Sequence, residues 1–189
     1  MEIYRAVPKG NEGRKLAANA GRRLPSVVSY VADNLWEFTR PTHLPSRRQA
    51  LYASSTPELA LASAAADAPD GYVACRLKFD TLPAMYQLPV TDARYHKDIT
   101  NLQKAINKKL RDWNNRTLAD KIALAPLFVP GITKEELQAA MDQNELLRAV
   151  VEDAAAQVTF WNADQATVAP TGELFFELLD GNTGTLHPV

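Results

Sequence analysis

Arg5, Tyr52, Ser54, Ser55, Thr56, Glu173 and Glu177 are the residues of this chain whose types suit chemistry on a flat, polar and anionic ligand. An arginine offers a planar fork that fits a pyrophosphate or carboxylate, and hydroxyls bond a ribose or an amide. A tyrosine ring stacks on another flat ring. A carboxylate beside a sugar stabilises the positive charge that develops when the bond at its anomeric carbon breaks. Each residue also has a plain structural reading. Arg5 suits an edge strand paired to a surface carboxylate, Tyr52 suits a core, and the glutamates suit a partly exposed edge. Glu173 and Glu177 share a face only if the segment carrying them is regular β. These residues lie far apart in sequence, so strands of one sheet are needed to unite them.

The elements that would do so start at LYASSTPELAL, residues 51 to 61, where a short β-type run breaks into a helix behind three hydroxyl residues. Thr56 is a natural N-cap, Pro57 suits the first helical position, and Glu58 complements the positive end of the helix dipole. Such a junction gathers hydroxyls and backbone N–H groups at one point, where an anion can be held. Upstream, residues 2–7 read as a strand carrying Arg5, and residues 9–24 as a solvated loop. From Ser26, Val27, Val28, Val31, Leu35 and Phe38 recur at helical spacing until Pro41. The segment PTHLPSRRQ reads as an irregular but ordered loop with two arginines.

Downstream of a helix from residue 57 to about 66, YVACRLKFD alternates polar and apolar residues as a half-buried strand, and residues 85–88 form a further extended piece. Ile99, Leu102, Ile106, Leu110 and Trp113 predict an amphipathic helix over 98–116 with Lys104, Lys108, Lys109, Arg111 and Arg116 on its polar face. Thr133 and Glu136 form a capping box that launches a helix through Val151, with a break near Asn144. QVTFWNA and GELFFELLDG read as two strands of a hairpin. The order suits an α+β fold with segregated elements, residues 1–189 forming a single domain with a largely helical insertion at about 98–156.

Composition removes several function classes. A net charge of -1 and a pI near 6.3 give no global attraction to nucleic acid or to an anionic membrane. Cys75 is the lone cysteine, which leaves no disulfide framework and no cysteine-based zinc site. His43, His96 and His187 are scattered without companions at ligand spacing, so no metal is expected. The GxGxxG, GxxxxGK[ST] and GxSxG patterns are absent. The N-terminus shows no secretory or transit pattern and no apolar run approaches the roughly 20 residues that span a bilayer. The expected location is the cytoplasm, or outside the cell after export without a cleavable signal.

YRAV followed by LYASSTPELAL resembles the first two signature regions of the ADP-ribosyltransferase superfamily, in its arginine, serine and glutamate branch. RRQALYASSTPELAL is also similar to the RES-domain proteins, a related group of NAD-degrading toxins. The resemblance implies a split two-sheet fold that takes NAD as substrate, with nicotinamide in a cleft between two small sheets. It implies that Arg5 binds the phosphate or ribose, that Ser54, with Ser55 and Thr56, orders the site, and that Tyr52 stacks on nicotinamide. The catalytic acid would be Glu173, with Glu177 as second choice. Ala62 and Ser63 stand where RES proteins carry a glutamate in the following helix. The implied activity is mono-ADP-ribosyl transfer to a macromolecular acceptor, expected to be a protein, or NAD glycohydrolysis, in a bacterial or phage effector or toxin. The alternative is a non-catalytic protein-binding module that grips its partner through the basic helix 98–116.

Overall fold

A computed structural model describes residues 2–18, 28–64, 69–111, 113–162, 171–179 and 181–189. In chain order the elements are β1 (Tyr4–Pro8), β2 (Lys15–Leu16), α1 (Tyr30–Thr39), β3 (Leu51–Ala53), α2 (Pro57–Ala64), β4 (Tyr72–Phe79), β5 (Met85–Gln87), α3 (Asp98–Lys109), α4 (Leu118–Leu124), α5 (Lys134–Gln143), α6 (Glu145–Ala155), β6 (Leu174–Phe176) and β7 (Gly184–Pro188). Short 3-10 turns lie between several of them. The protein is α+β, and it divides into two compact units. Met1–Arg22, Thr42–Ala93 and Ala163–Val189 make a strand-built unit, and Arg23–Pro41 with Arg94–Asn162 make a helical one. The helical unit therefore takes α1 as well as the segment expected to be an insertion.

In the strand-built unit two antiparallel sheets run in the orders β1-β4-β7-β2 and β3-β6-β5. Alternation along the strands explains the core between them. Ile3 and Val7 of the first strand region, Leu51 and Ala53, Cys75 and Leu77, Leu174 and Phe176, and Leu186 form one buried cluster. Burying a side chain the size of Phe176 contributes about 2–3 kcal/mol. Phe79 meets Phe176 edge-on at 5.0 Å between ring centroids. Gly184 lies opposite Phe79 in the β4–β7 register, and a Cβ there would come within 3.1 Å of the phenyl ring, which would have to yield by a few tenths of an ångström. α2 starts where the sequence predicts: the Thr56 hydroxyl accepts from the Leu59 N–H at 3.2 Å. This helix lies against β1 and β4, whose paired Ala6 and Ala74 are small enough to let it approach.

The helical unit forms around Trp36, Leu102, Leu137, Met141, Leu147, Val151 and Phe160, all nearly or fully buried. α5 opens with the expected reciprocal capping box between Thr133 and Glu136, and Asn144 closes it while capping α6 through its side chain. At its centre the Asp98 carboxylate, 0% exposed, accepts from Trp36 Nε1 at 3.0 Å, Thr159 N at 2.9 Å, Thr159 Oγ1 at 2.6 Å and Phe160 N at 2.9 Å. The Asp98 N–H donates to His96 Nδ1 at 3.2 Å, so that ring nitrogen is an acceptor. Burial lowers the His96 pKa from its usual value, and the Asp98 charge offsets this only in part. Trp36 stacks on Phe160 at 4.1 Å, and His96 packs edge-on against both rings.

The structure corrects four sequence expectations. The helix predicted over 98–116 ends at Lys109, and Trp113–Asn115 is a 3-10 turn. The helix closes at Leu110, whose backbone has left helical geometry while its N–H still bonds the Ile106 carbonyl, and the adjacent Asn114 and Asn115 favour the non-helical turn beyond it. QVTFWNA is not a strand: Phe160–Asn162 is a 3-10 turn, because the Thr159 and Phe160 amides go to Asp98 instead of to a ladder. GELFFELLDG accordingly makes no hairpin with it, and β6 pairs with β3 and β5. The loop expected over 9–24 contains β2, which pairs with β7, a strand that the sequence reading omits. Ser26 and Val27, at the expected start of the first helix, lie outside the described residues. Among the described residues no helix is long and apolar enough to cross a membrane.

Candidate functional site

All seven residues singled out above belong to the strand-built unit, and all are half-buried. Their placement follows from one register. β3 pairs antiparallel with β6 as Leu51↔Phe176, Tyr52↔Phe175 and Ala53↔Leu174, and the same register carried one position beyond the ladder would set Ser54, just past β3, opposite Glu173, just before β6. On its other side β3 touches β1 at a single bridge, Tyr4↔Ser54, closed by reciprocal backbone bonds of 2.8 and 2.7 Å. Ser54 is thus flanked by the Arg5-bearing strand and by the backbone that carries Glu173.

The two sheets part at Arg5. A ladder continued past Tyr4↔Ser54 would next pair Ala6 with Tyr52, and the Ala6 N–H would reach the Tyr52 carbonyl. Instead Arg5 Nη1 donates to that carbonyl at 2.9 Å. A long side chain has taken the place of a ladder amide, and the sheet is split there. Strand alternation sends Arg5 to the same side as Ile3, Val7 and Ala53, whereas Tyr52 and Ser54 leave on the other side. The register therefore brings the Arg5-bearing β1, Ser54 at the end of β3 and Glu173 at the start of β6 close together in the sheet without putting all three side chains on one face.

The remaining groups have defined local roles. Thr56 is committed to the α2 cap. The Tyr52 hydroxyl donates to the Arg47 carbonyl at 2.8 Å, its ring tilts against Phe175 at 6.0 Å, and the Arg47 guanidinium lies 5.6 Å from the ring centroid. A ligand ring that stacks on that face of Tyr52 displaces this cation. Glu173 and Glu177 bracket β6 rather than lying in it, because the strand is only Leu174–Phe176. Glu173 Oε2 accepts from the Ala93 N–H at 2.9 Å, and its backbone bonds Leu88 and Val90. Glu177 Oε2 accepts from the Ser46 N–H at 3.0 Å and so anchors the turn that carries Arg47 and the buried Arg48.

The two arginines of that turn, Arg47 and Arg48, have no role among the sequence expectations. Their signal was the pair itself, two cations immediately before a strand whose next polar residue is Tyr52. Beside Ser54, Tyr4 donates its hydroxyl to Glu2 at 2.7 Å. That bond, followed by Arg76 at 2.8 Å, holds the Glu2 carboxyl below its ordinary range, and the same bond raises the Tyr4 phenol. Cys75 pairs with Arg5 in the β1–β4 register, and burial pushes its thiol up, which keeps it in the unreactive protonated form. Among the described residues no group of three or more His, Cys, Asp or Glu is placed to hold a metal ion. No family model, curated protein or solved structure matches the chain.

Proposed function

We propose that this protein has the split two-sheet ADP-ribosyltransferase-like fold and cleaves the nicotinamide–ribose bond of NAD, passing ADP-ribose to a protein acceptor or to water. The observation that supports this reading is the register that leaves Ser54, just past β3, between the Arg5-bearing β1 and the start of β6 next to Glu173, at the point where two small sheets part. In the proposed reaction the bond between ribose C1′ and the pyridinium nitrogen breaks, and its electron pair neutralises the departing nicotinamide. Positive charge is left on C1′ and the ring oxygen. The Glu173 carboxylate faces that charge, which makes its stabilisation specific to the transition state. A lone pair from the acceptor or from water then forms the new bond to C1′, and the proton released goes to solvent. Arg5 holds the phosphate or ribose, Ser54 orders the carboxylate beside it, and Tyr52 receives the nicotinamide ring once Arg47 moves toward the pyrophosphate.

The test is incubation of the purified protein with NAD, alone and with a cell lysate. Release of nicotinamide supports the reading, and labelled protein in the lysate assigns transfer over hydrolysis. Absence of both sinks it.

A further inference from the structure

Outside the proposed site, the helical unit carries a groove of about 620 Å³ between α3 and α6. Its α3 wall presents Asn101, Lys104, Lys108 and Lys109, with Arg111 just beyond the helix, and Asp153 and Gln157 form the opposite side. Lys109 is held by Asp153 at 3.2 Å, and Arg116 Nη2 donates to the Lys109 carbonyl at 3.2 Å, so this part of the wall is fixed within the protein. Lys104, Lys108 and Arg111 differ. They are exposed, and among the described residues none has a carboxylate within ion-pair distance. Some cations elsewhere are paired, such as Arg40 with Glu37 at 3.0 Å and Arg76 with Glu2 at 2.8 Å, and others, such as Lys134, are not, among the described residues; what sets these three apart is that they line one concavity. Lys104 and Lys108 are one helical turn apart and stand above one another along the groove.

The geometry points to this groove as a docking surface for an acidic segment of a protein partner. Three unmatched cations in one concavity are complementary to closely spaced carboxylates. From Asn101 to Lys109 the helix rises about 12 Å, the span of about four residues of extended chain. The amide of Asn101 offers a donor and an acceptor to a main chain entering at one end. Among the described residues the lining holds no aromatic ring on which a base could stack, and the whole chain is slightly acidic, which disfavours nucleic acid as the occupant. The inference stands without the NAD reading, since the groove lies wholly within the helical unit.

The experiment titrates the full-length protein into a fluorescein-labelled peptide of about eight Asp and Glu residues, long enough to overfill the groove, and follows anisotropy at low and at physiological ionic strength. A single-stranded RNA oligonucleotide is the parallel probe. The triple variant Lys104→Glu, Lys108→Glu, Arg111→Glu is compared with Lys134→Glu, an exposed charge reversal on α5. The expected result is peptide binding that weakens with salt and falls at least ~tenfold in the triple variant while Lys134→Glu leaves it unchanged. The neutral variant Lys104→Gln, Lys108→Gln, Arg111→Gln should show a smaller loss in the same direction, and circular dichroism should show all variants folded. Equal binding by wild type and triple variant, no peptide binding at low salt, or RNA bound more tightly than the peptide would each overturn the proposal.

Discussion

Arg5 in the strand-built unit and Asp98 in the helical unit are both charged residues set among apolar neighbours, and their surroundings treat them oppositely. Asp98 is sealed: it is fully buried and four donors from α1 and the Thr159–Phe160 turn converge on its two oxygens. A buried carboxylate satisfied in this way ties elements together and has no surface left for a ligand. Arg5 is half-buried and occupies the split between two sheets, where its guanidinium substitutes for one backbone amide. A charge at a partly open seam can exchange a protein contact for a ligand contact. The comparison teaches that burial alone does not mark a functional polar residue. What separates the two cases is whether the group closes a gap between elements or stands in one.

The largest expected effect follows from that difference. Asp98→Ala leaves four donors buried without an acceptor and should cost about 3–5 kcal/mol, read as a lower urea midpoint with an unchanged slope. A loss under about 1 kcal/mol would break the claim that Asp98 is the node of the helical unit. The opposite signature is expected at the seam. Glu173→Gln keeps an oxygen for the Ala93 N–H, so stability should change little, while nicotinamide release falls on the order of a hundredfold. Equal damage to stability and activity would make Glu173 a structural residue like Asp98.

Two smaller effects sharpen the contrast. Thr133→Ala removes one half of the α5 capping box and should cost about 1 kcal/mol by thermal melting, with activity per folded molecule unchanged. The pH dependence of stability is set in part by His96. Its folded-state pKa lies below the usual 6.5, so the unfolded chain binds more protons in that window. The contribution of neutral, buried His96 is therefore complete above about pH 6.5 and declines as pH falls below it toward the folded value. Urea midpoints measured across that range should fall with acidity in wild type and fall less in His96→Gln. An equal slope in the two would remove His96 from the account.

Much of the local structure was legible because its causes are local. The Thr56 and Thr133 caps, the alternation of Tyr72–Phe79 and the break at Asn144 each depend on residues within four positions. The errors came where the decisive partner is remote. Thr159 and Phe160 have strand-like composition, but the acceptor of their amides lies about sixty residues upstream at Asp98. β7 carries one large buried residue, Leu186, and acquires its identity from β4 and β2. The candidate site shows the same limit. Residue types named Arg5, Ser54 and Glu173, but only the register of β3 with β6 puts the ends of the two strands that lead to Ser54 and Glu173 side by side, and only the bridge at Tyr4 reveals the split that Arg5 fills. The Ser46–Arg48 turn went unassigned because its anchor, Glu177, is 131 residues away.

The central claim, that the seam between the sheets is an NAD-cleaving site, is tested most directly by nicotinamide release from NAD. The purified wild-type protein should release nicotinamide with time, and Glu173→Gln, folded to the same extent, should release it on the order of a hundred times more slowly. No release by the wild type with NAD and a lysate present, or equal release by the two proteins, would contradict it.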